Sequence, residues 1–266
     1  MNRYPERIIC LTEETTETIY LLGEQDRIVG ISGFTVRPLQ ARREKPKVSA
    51  FLSAKLDKIA ALKPDLVLGF SDLQADIAAA LVKQGIEVHV FNHRGVADIF
   101  RMISMLGGML GCETKTRALI KELEAGLDKL RASAAGLPRH PKVYFEEWDE
   151  PQISGIAWVS ELVGLAGGVD VFPELAKEPL AKNRIVADPL EVPRRAPDLI
   201  LGSWCGKKFR PKAVAARPGW ETVPAVRDGE LHEIKSSIIL QPGPAALTDG
   251  VQAIHSIISD WAKKTA

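Results

Sequence analysis

One six-residue pattern occurs twice, half the chain apart, and it constrains the fold more than any other feature. Pro64-Asp65-Leu66-Val67-Leu68-Gly69 is matched by Pro197-Asp198-Leu199-Ile200-Leu201-Gly202. Each copy closes a helix-like run, 56–62 in the first case and 192–196 in the second. Each then supplies an apolar stretch of strand length that stops at glycine. The residues beyond differ: Phe70-Ser71-Asp72 in one copy, Ser203-Trp204-Cys205-Gly206 in the other. Such a pair predicts two related α/β lobes, with the two tails as the first place to look for a ligand.

The chain of 266 residues suffices for two lobes of about 110–130 residues each, close to the usual domain size. A formal net charge of +1 provides no global field for nucleic acid or a membrane surface, so neither is expected as a partner. No apolar run reaches the ~18 residues of a membrane span. Cys10, Cys112 and Cys205 are widely spaced and form no Cys-x-x-Cys, so neither a disulfide framework nor a zinc knuckle is implied. His89 and His93 sit on and just after a predicted strand, about 13 Å apart in extended chain, which argues against a shared metal ion. The start, Met1-Asn2-Arg3-Tyr4-Pro5-Glu6-Arg7 followed by Ile8-Ile9-Cys10-Leu11, lacks the apolar core of a secretory signal and reads as a first strand.

Alternation of short apolar runs with helical patterns continues throughout. In the first half, strands are expected at 7–11, 28–31, 66–69 and 87–91, with helices at 15–22, 53–61, 72–84 and 96–110. Residues 32–47, rich in Arg and Pro, carry no periodicity and read as a long loop. A helix over about 113–134, with a stripe of Leu119, Ile120, Leu123, Leu127 and Leu130, would span about 30 Å. The second half then restarts with a strand at 142–146. Helices follow at 159–166 and 192–195, strands at 199–202 and 231–234, and a closing helix at 245–263. The expected fold class is therefore α/β: two Rossmann-like lobes, each with a parallel sheet, joined by one long bridging helix. The boundaries are 1–112, 113–136 and 137–266.

Open parallel sheets bind ligands beyond the carboxyl ends of their strands. In the first lobe that rule selects Thr12, Glu13 and Glu14, then Phe34 and Arg37, then Phe70, Ser71 and Asp72, then Asn92 and His93. In the second it selects Glu146, Glu147 and Trp148, then Trp204, Cys205, Lys207 and Lys208, then Lys235, Ser236 and Ser237. Trp148, Trp158 and Trp204 fall on or near these loops, and aromatic walls with a few charges suit a small-molecule site. Trp204 is expected to face the ligand, whereas Trp158 serves equally well as a helix cap. Arg42, Arg43, Lys45 and Lys47 read as a solvated face. Glu146 and Glu147 are adjacent on a strand and so point to opposite sides. Cys205 is the one candidate nucleophile, with His93 or His232 as conceivable bases; a cleft-wall thiol is the simpler reading.

The residues 7–11 with Thr16-Glu17, then Ile28-Val29-Gly30-Ile31-Ser32, then 56–67 (Leu56-Asp57-Lys58-Ile59-Ala60-Ala61-Leu62-Lys63-Pro64-Asp65-Leu66-Val67) resemble the cobalamin- and iron-siderophore-binding proteins of ABC importers. The resemblance covers nearly the whole chain. It implies two α/β lobes joined by a long helix, a ligand in the cleft between them, and no catalysis. Cobalamin-binding members carry an aromatic residue where Phe34 stands and a tryptophan where Phe51 stands. A second-lobe tryptophan aligns near Arg184, whose guanidinium would instead meet a carboxylate or phosphate. Importer members dock on a permease through one glutamate per lobe, seven residues before each repeated proline. Asp57 and Leu190 hold those positions here, with Glu191 adjacent, so a permease partner is implied for one lobe and weakened for the other.

The expectation is thus a binding protein for a cobalamin-like corrinoid or an iron chelate, with no covalent cofactor. Its ligand contacts would be Phe34, Arg37, Phe51, Phe70, Ser71, Glu147, Trp148, Arg184, Trp204, Lys207 and Lys208, and its docking residues Asp57 and Glu191. The compartment expected from the start of the chain is the cytoplasm, or the periplasm if that start is trimmed. The rival readings are an enzyme acting on a corrinoid or metal-chelate intermediate through Glu147, Cys205 and His93, and a sensor whose closed form binds a protein.

Overall fold

The computed structural model describes residues 3–264. Strands Ile8–Cys10 (β1), Ile28–Ser32 (β2), Lys47–Ser49 (β3), Leu66–Phe70 (β4) and Val88–Phe91 (β5) form one sheet in the order β3-β2-β1-β4-β5. Every pairing in it is parallel. Strands Lys142–Asp149 (β6), Gln152–Ser154 (β7), Val169–Asp170 (β8), Leu199–Gly202 (β9) and Leu231–Glu233 (β10) form a second sheet in the order β10-β9-β6-β7, with β8 also on β6. Here β6 is parallel to β8 and β9, and β9 to β10, while β7 returns antiparallel to β6. The second sheet is therefore mixed rather than all parallel. The chain divides into two compact units: one runs to His93 and takes up Ala97–Glu122; the other comprises Arg94–Val96 and everything from Leu123. The division falls inside the helix Glu113–Ala135.

The repeated phrase does the same work in both units. Lys63 and Ala196, the residues before the two prolines, both take φ +48° and end their helices in the left-handed conformation. Proline cannot extend the helix, so the chain leaves at once into β4 or β9. The aspartate that follows clamps the unit's first strand. Asp65 accepts hydrogen bonds from the Glu6 and Arg7 amides at 2.7 and 2.9 Å, and its own amide donates to the Arg7 carbonyl at 3.0 Å. Asp198 accepts from the Lys142 amide at 2.8 Å, and its amide donates to the Lys142 carbonyl at 2.8 Å. The strand residues next in line, Val67, Leu68, Leu199, Ile200 and Leu201, are fully buried, as central strands of a sheet covered on both faces must be.

Each unit has its own apolar core. In the first, Ile9, Leu11, Val48, Ile59, Val67 and Leu81 pack together; in the second, Tyr144, Phe172, Val192, Ile200, Trp204, Phe209 and Trp220 do.

Besides the unexpected strands β7 and β8, two longer stretches differ from the sequence reading. The segment 32–47 is not a featureless loop: it contains the helix Leu39–Glu44 and leads into β3. Six residues are too few to show a helical period, and the three residues of β3 are strand because β2 pairs with them. Its basic residues are not simply solvated either. Arg42 donates to the carbonyls of Gly33 (3.2 Å) and Thr35 (3.1 Å), Lys45 to that of Gln25 (2.8 Å), and Lys47 to that of Arg42. The closing helix opens with a π turn at Ala246–Gly250 before Val251–Lys264. No helix of the described residues is long and apolar enough to cross a membrane.

Candidate ligand-binding site

In the first unit, one side chain organises the carboxyl ends of the strands. Gln74 is fully buried. Its Oε1 accepts the Phe70 amide at 3.0 Å, and its Nε2 donates to the Phe51 carbonyl at 3.0 Å. Gly69 makes room for it, since a Cβ there would lie 2.9 Å from Gln74 Oε1. The equivalent Gly202 of the second unit faces the Phe209 ring, which a Cβ would meet at 1.9 Å. The matched glycines thus admit different groups, a polar tether in one unit and an aromatic plug in the other.

The loops beyond β2, β3 and β4 present apolar surface. Phe34 is 55 % exposed, and Val36, Leu39, Leu52 and Leu73 are also exposed. Phe51 is half-buried. Phe70 is buried, its ring meeting His93 edge-on at 4.9 Å between centroids. Ser71, at φ +63°, is buried and accepts the Leu73 amide at 3.3 Å, so its hydroxyl caps the next turn. Arg37 donates to Glu17 at 2.9 Å. A groove of about 240 Å³ beside the edge strand β5 is lined by His89, Phe91, His93, Asp98, Met102 and Met105. Burial lowers the His89 pKa and keeps that imidazole neutral at neutral pH.

Beyond β1 two carboxyl groups are buried. Glu14 is 1 % exposed; Oε1 accepts the Thr12 hydroxyl at 2.5 Å, and Oε2 is buried without a hydrogen-bond partner. Burial, partly offset by the Thr12 hydroxyl, pushes its pKa up to about 8, and burial raises Glu13 to about 7. Burial likewise pushes the Cys10 thiol up to about 12, which leaves it protonated.

The second unit differs in kind. Glu146, fully buried on β6, holds Arg217 with both oxygens, at 2.5 and 3.0 Å, and accepts the Trp204 indole at 3.1 Å. Glu147 holds Arg184 the same way, at 2.6 and 3.0 Å, and Arg184 also donates to the Ser154 carbonyl. Arg184 is 2 % exposed, so its guanidinium is committed to Glu147 rather than left for an anion. Trp204, expected to face the ligand, is 4 % exposed and packs edge-on against Phe209 at 5.0 Å. Only its rim reaches a cavity of about 300 Å³ shared with Lys207, Lys208, Glu233 and Lys235. Lys207 pairs with Asp149 and lies over the Trp148 ring at 4.1 Å and the Trp204 ring at 5.1 Å. Trp148 is half-buried, and its indole donates to the Glu150 carbonyl at 2.9 Å. Cys205 and Lys208 are exposed. Trp158 is buried, its indole donating to the Ile239 carbonyl at 2.9 Å.

Arg217, the counter-ion of Glu146, lies far from any strand end in sequence, and only the presence of a buried strand carboxylate could have called for it. At the docking positions, Asp57 is exposed in the first turn of Leu56–Ala61 and Leu190 is exposed. Glu191 is engaged by Arg194 at 2.8 Å and Arg195 at 2.9 Å. Among the described residues no group of three or more His, Cys, Asp or Glu could hold a metal ion.

Two α/β units, one with a parallel and one with a mixed sheet, agree with the comparisons with known proteins. The profile of the periplasmic binding protein family matches residues 8–238. The chain belongs to that family. An uncharacterised ABC transporter substrate-binding lipoprotein of Bacillus subtilis is 24% identical over 99% of this chain and 83% of its own length. The vitamin B12-binding protein of Vibrio vulnificus is 25% identical over 91% of this chain and 86% of its own. Among solved structures, a possible iron-binding periplasmic solute-binding protein of Staphylococcus epidermidis superimposes with a TM-score of 0.82 at 18% identity, covering 96% of this chain and 99% of its own. The two α/β units are as the repeated phrase implied, and the substrate-binding character of the family is as the resemblance implied.

Proposed function

We propose that the chain is a non-enzymatic substrate-binding protein that presents a flat metal macrocycle of the corrinoid class to an ABC permease. The observation that carries the reading is the carboxyl-end face of the first sheet. It offers exposed Phe34 and half-buried Phe51, with Val36, Leu39, Leu52 and Leu73 exposed on the loops beyond the same strand ends and the Phe51 carbonyl tied to Gln74. Such a surface suits the face of a macrocycle, and an apolar wall with few polar groups is the usual make-up of a small-molecule site. In the second unit, Trp148, Lys207 and Lys208 are the ligand-facing groups. The ligand named for one group of relatives, vitamin B12, is a corrinoid.

The enzyme reading is disfavoured by the commitment of Glu147 to Arg184, which removes the acid/base group it needs. The permease is approached through Asp57. Contact through Glu191 requires its carboxylate to exchange Arg194 and Arg195, so the second unit's contribution is the weaker one.

Titration of the purified chain with cobalamin, cobinamide, haem and ferric siderophores, followed by tryptophan fluorescence, tests the reading. Dissociation constants in the micromolar range or below are expected for at least one corrinoid. Nothing tighter than about millimolar, only ~4 kcal/mol of binding free energy, refutes it.

A further inference from the structure

The geometry points to the cavity at the carboxyl ends of β9 and β10 as the subsite for one singly charged oxyanion of the ligand, a carboxylate or a phosphodiester. This rests on the proposed substrate-binding role and adds to it a requirement on the ligand's substituents. The cavity is about 300 Å³ and is lined by Trp204, Lys207, Lys208, Glu233, Lys235 and Ser236. That is at the low end for a whole small-molecule site, about 300–1,000 Å³, and ample for one charged substituent. Strands β9 and β10 are parallel neighbours, so their ends open on the same edge. The turn after β10 is anchored, because the Trp158 indole holds the Ile239 carbonyl at 2.9 Å.

The charges on this wall can be counted. Lys207 is fixed by Asp149 and by two indole faces, at 4.1 and 5.1 Å, so little side-chain freedom remains to be lost on binding. Burial, the largest single effect, pushes the Asp149 pKa up, but the hydrogen bonds from Lys207 and the backbone together with the Lys207 charge outweigh it, so the net shift is downward and the carboxylate stays ionised. Lys235 pairs with Glu233 at 3.1 Å. Lys208 is exposed and pairs with no carboxylate among the described residues. Three ammonium groups against two carboxylates leave one positive charge, on Lys208. One negative charge on the ligand balances it; a second would face Glu233.

A carboxylate and a phosphodiester are distinguished by three probes: haem carries carboxylates, cobalamin a phosphodiester, and cobinamide neither. Affinities of the full chain for each are measured by calorimetry at low and at 0.3 M salt, for the wild type and for Lys208→Gln and Lys235→Gln. The proposal expects Lys208→Gln to weaken haem or cobalamin, whichever supplies the anion, by about three- to tenfold at low salt. The loss shrinks at high salt, and cobinamide, which brings no anion to Lys208, weakens less than the probe that supplies one. Unchanged affinities in both variants, equal weakening of all probes, or binding confined to cobinamide overturns the subsite while leaving the substrate-binding role standing. Absence of binding by all three in the wild type overturns that role and the subsite with it.

Discussion

The buried carboxyl of Glu14 makes the folded state acid-favoured, and Glu14→Gln isolates the effect. The folded pKa of Glu14 is about 8 and that of Glu13 about 7, against an ordinary 4.5. The folded form therefore holds these protons more tightly than the unfolded chain. Their stabilisation is complete below pH 4.5 and is lost as pH rises through 7 and 8. Each such group forfeits on the order of 1 kcal/mol per pH unit across that window, so Glu14 alone forfeits roughly 3 kcal/mol between pH 4.5 and 7. Glutamine keeps an oxygen for the Thr12 hydroxyl and never ionises. The variant should match the wild type near pH 4.5 and exceed it at pH 7 by roughly 3 kcal/mol, or about 6–12 °C in the thermal midpoint for a chain of this length. Calorimetric melts at pH 4.5, 6, 7 and 8 measure this directly. A difference between variant and wild type that stays constant with pH refutes the reasoning.

Three further outcomes follow from the same geometry. Arg217→Met leaves Glu146 charged and unpaired at full burial and should cost about 3–5 kcal/mol, whereas the double variant with Glu146→Gln recovers much of the loss in urea denaturation. Asp65→Ala and Asp198→Ala remove equivalent clamps and should each cost about 1–3 kcal/mol; hydrogen exchange at the Arg7 amide in the first variant, and at the Lys142 amide in the second, reports whether the loss is local. Phe34→Ala removes an exposed ring, so the thermal midpoint should move little while corrinoid affinity, read by fluorescence titration, falls about tenfold; an unchanged affinity counts against the apolar face as the binding surface.

Much of the architecture was legible because the repeated phrase is itself a structural unit. Left-handed residue, proline, clamping aspartate and buried strand are all local, so sequence order carries them. Where neighbours decide the outcome, the sequence was silent. Strand β3 exists because β2 pairs with it, and β7 because β6 folds back on it. The strand-end rule located Phe34, Lys207 and Lys208, and the family resemblance Phe51, in loops with exposed apolar or charged surface. It did not show that Arg184 and Trp204 turn inward, because their partners, Glu147 and Glu146, lie 37 and 58 residues away in sequence. Glu13 and Glu14 were visible as strand-end residues, but nothing in their spacing shows that the fold buries both.

The most direct test of the account is a crystal structure of the chain with whichever of cobalamin, cobinamide and haem binds most tightly. The macrocycle is predicted to lie against Phe34 and Phe51, with Arg184 still held by Glu147. A ligand seated instead in the groove of His89, Met102 and Met105, or one that takes Arg184 from Glu147 while leaving Phe34 bare, contradicts it.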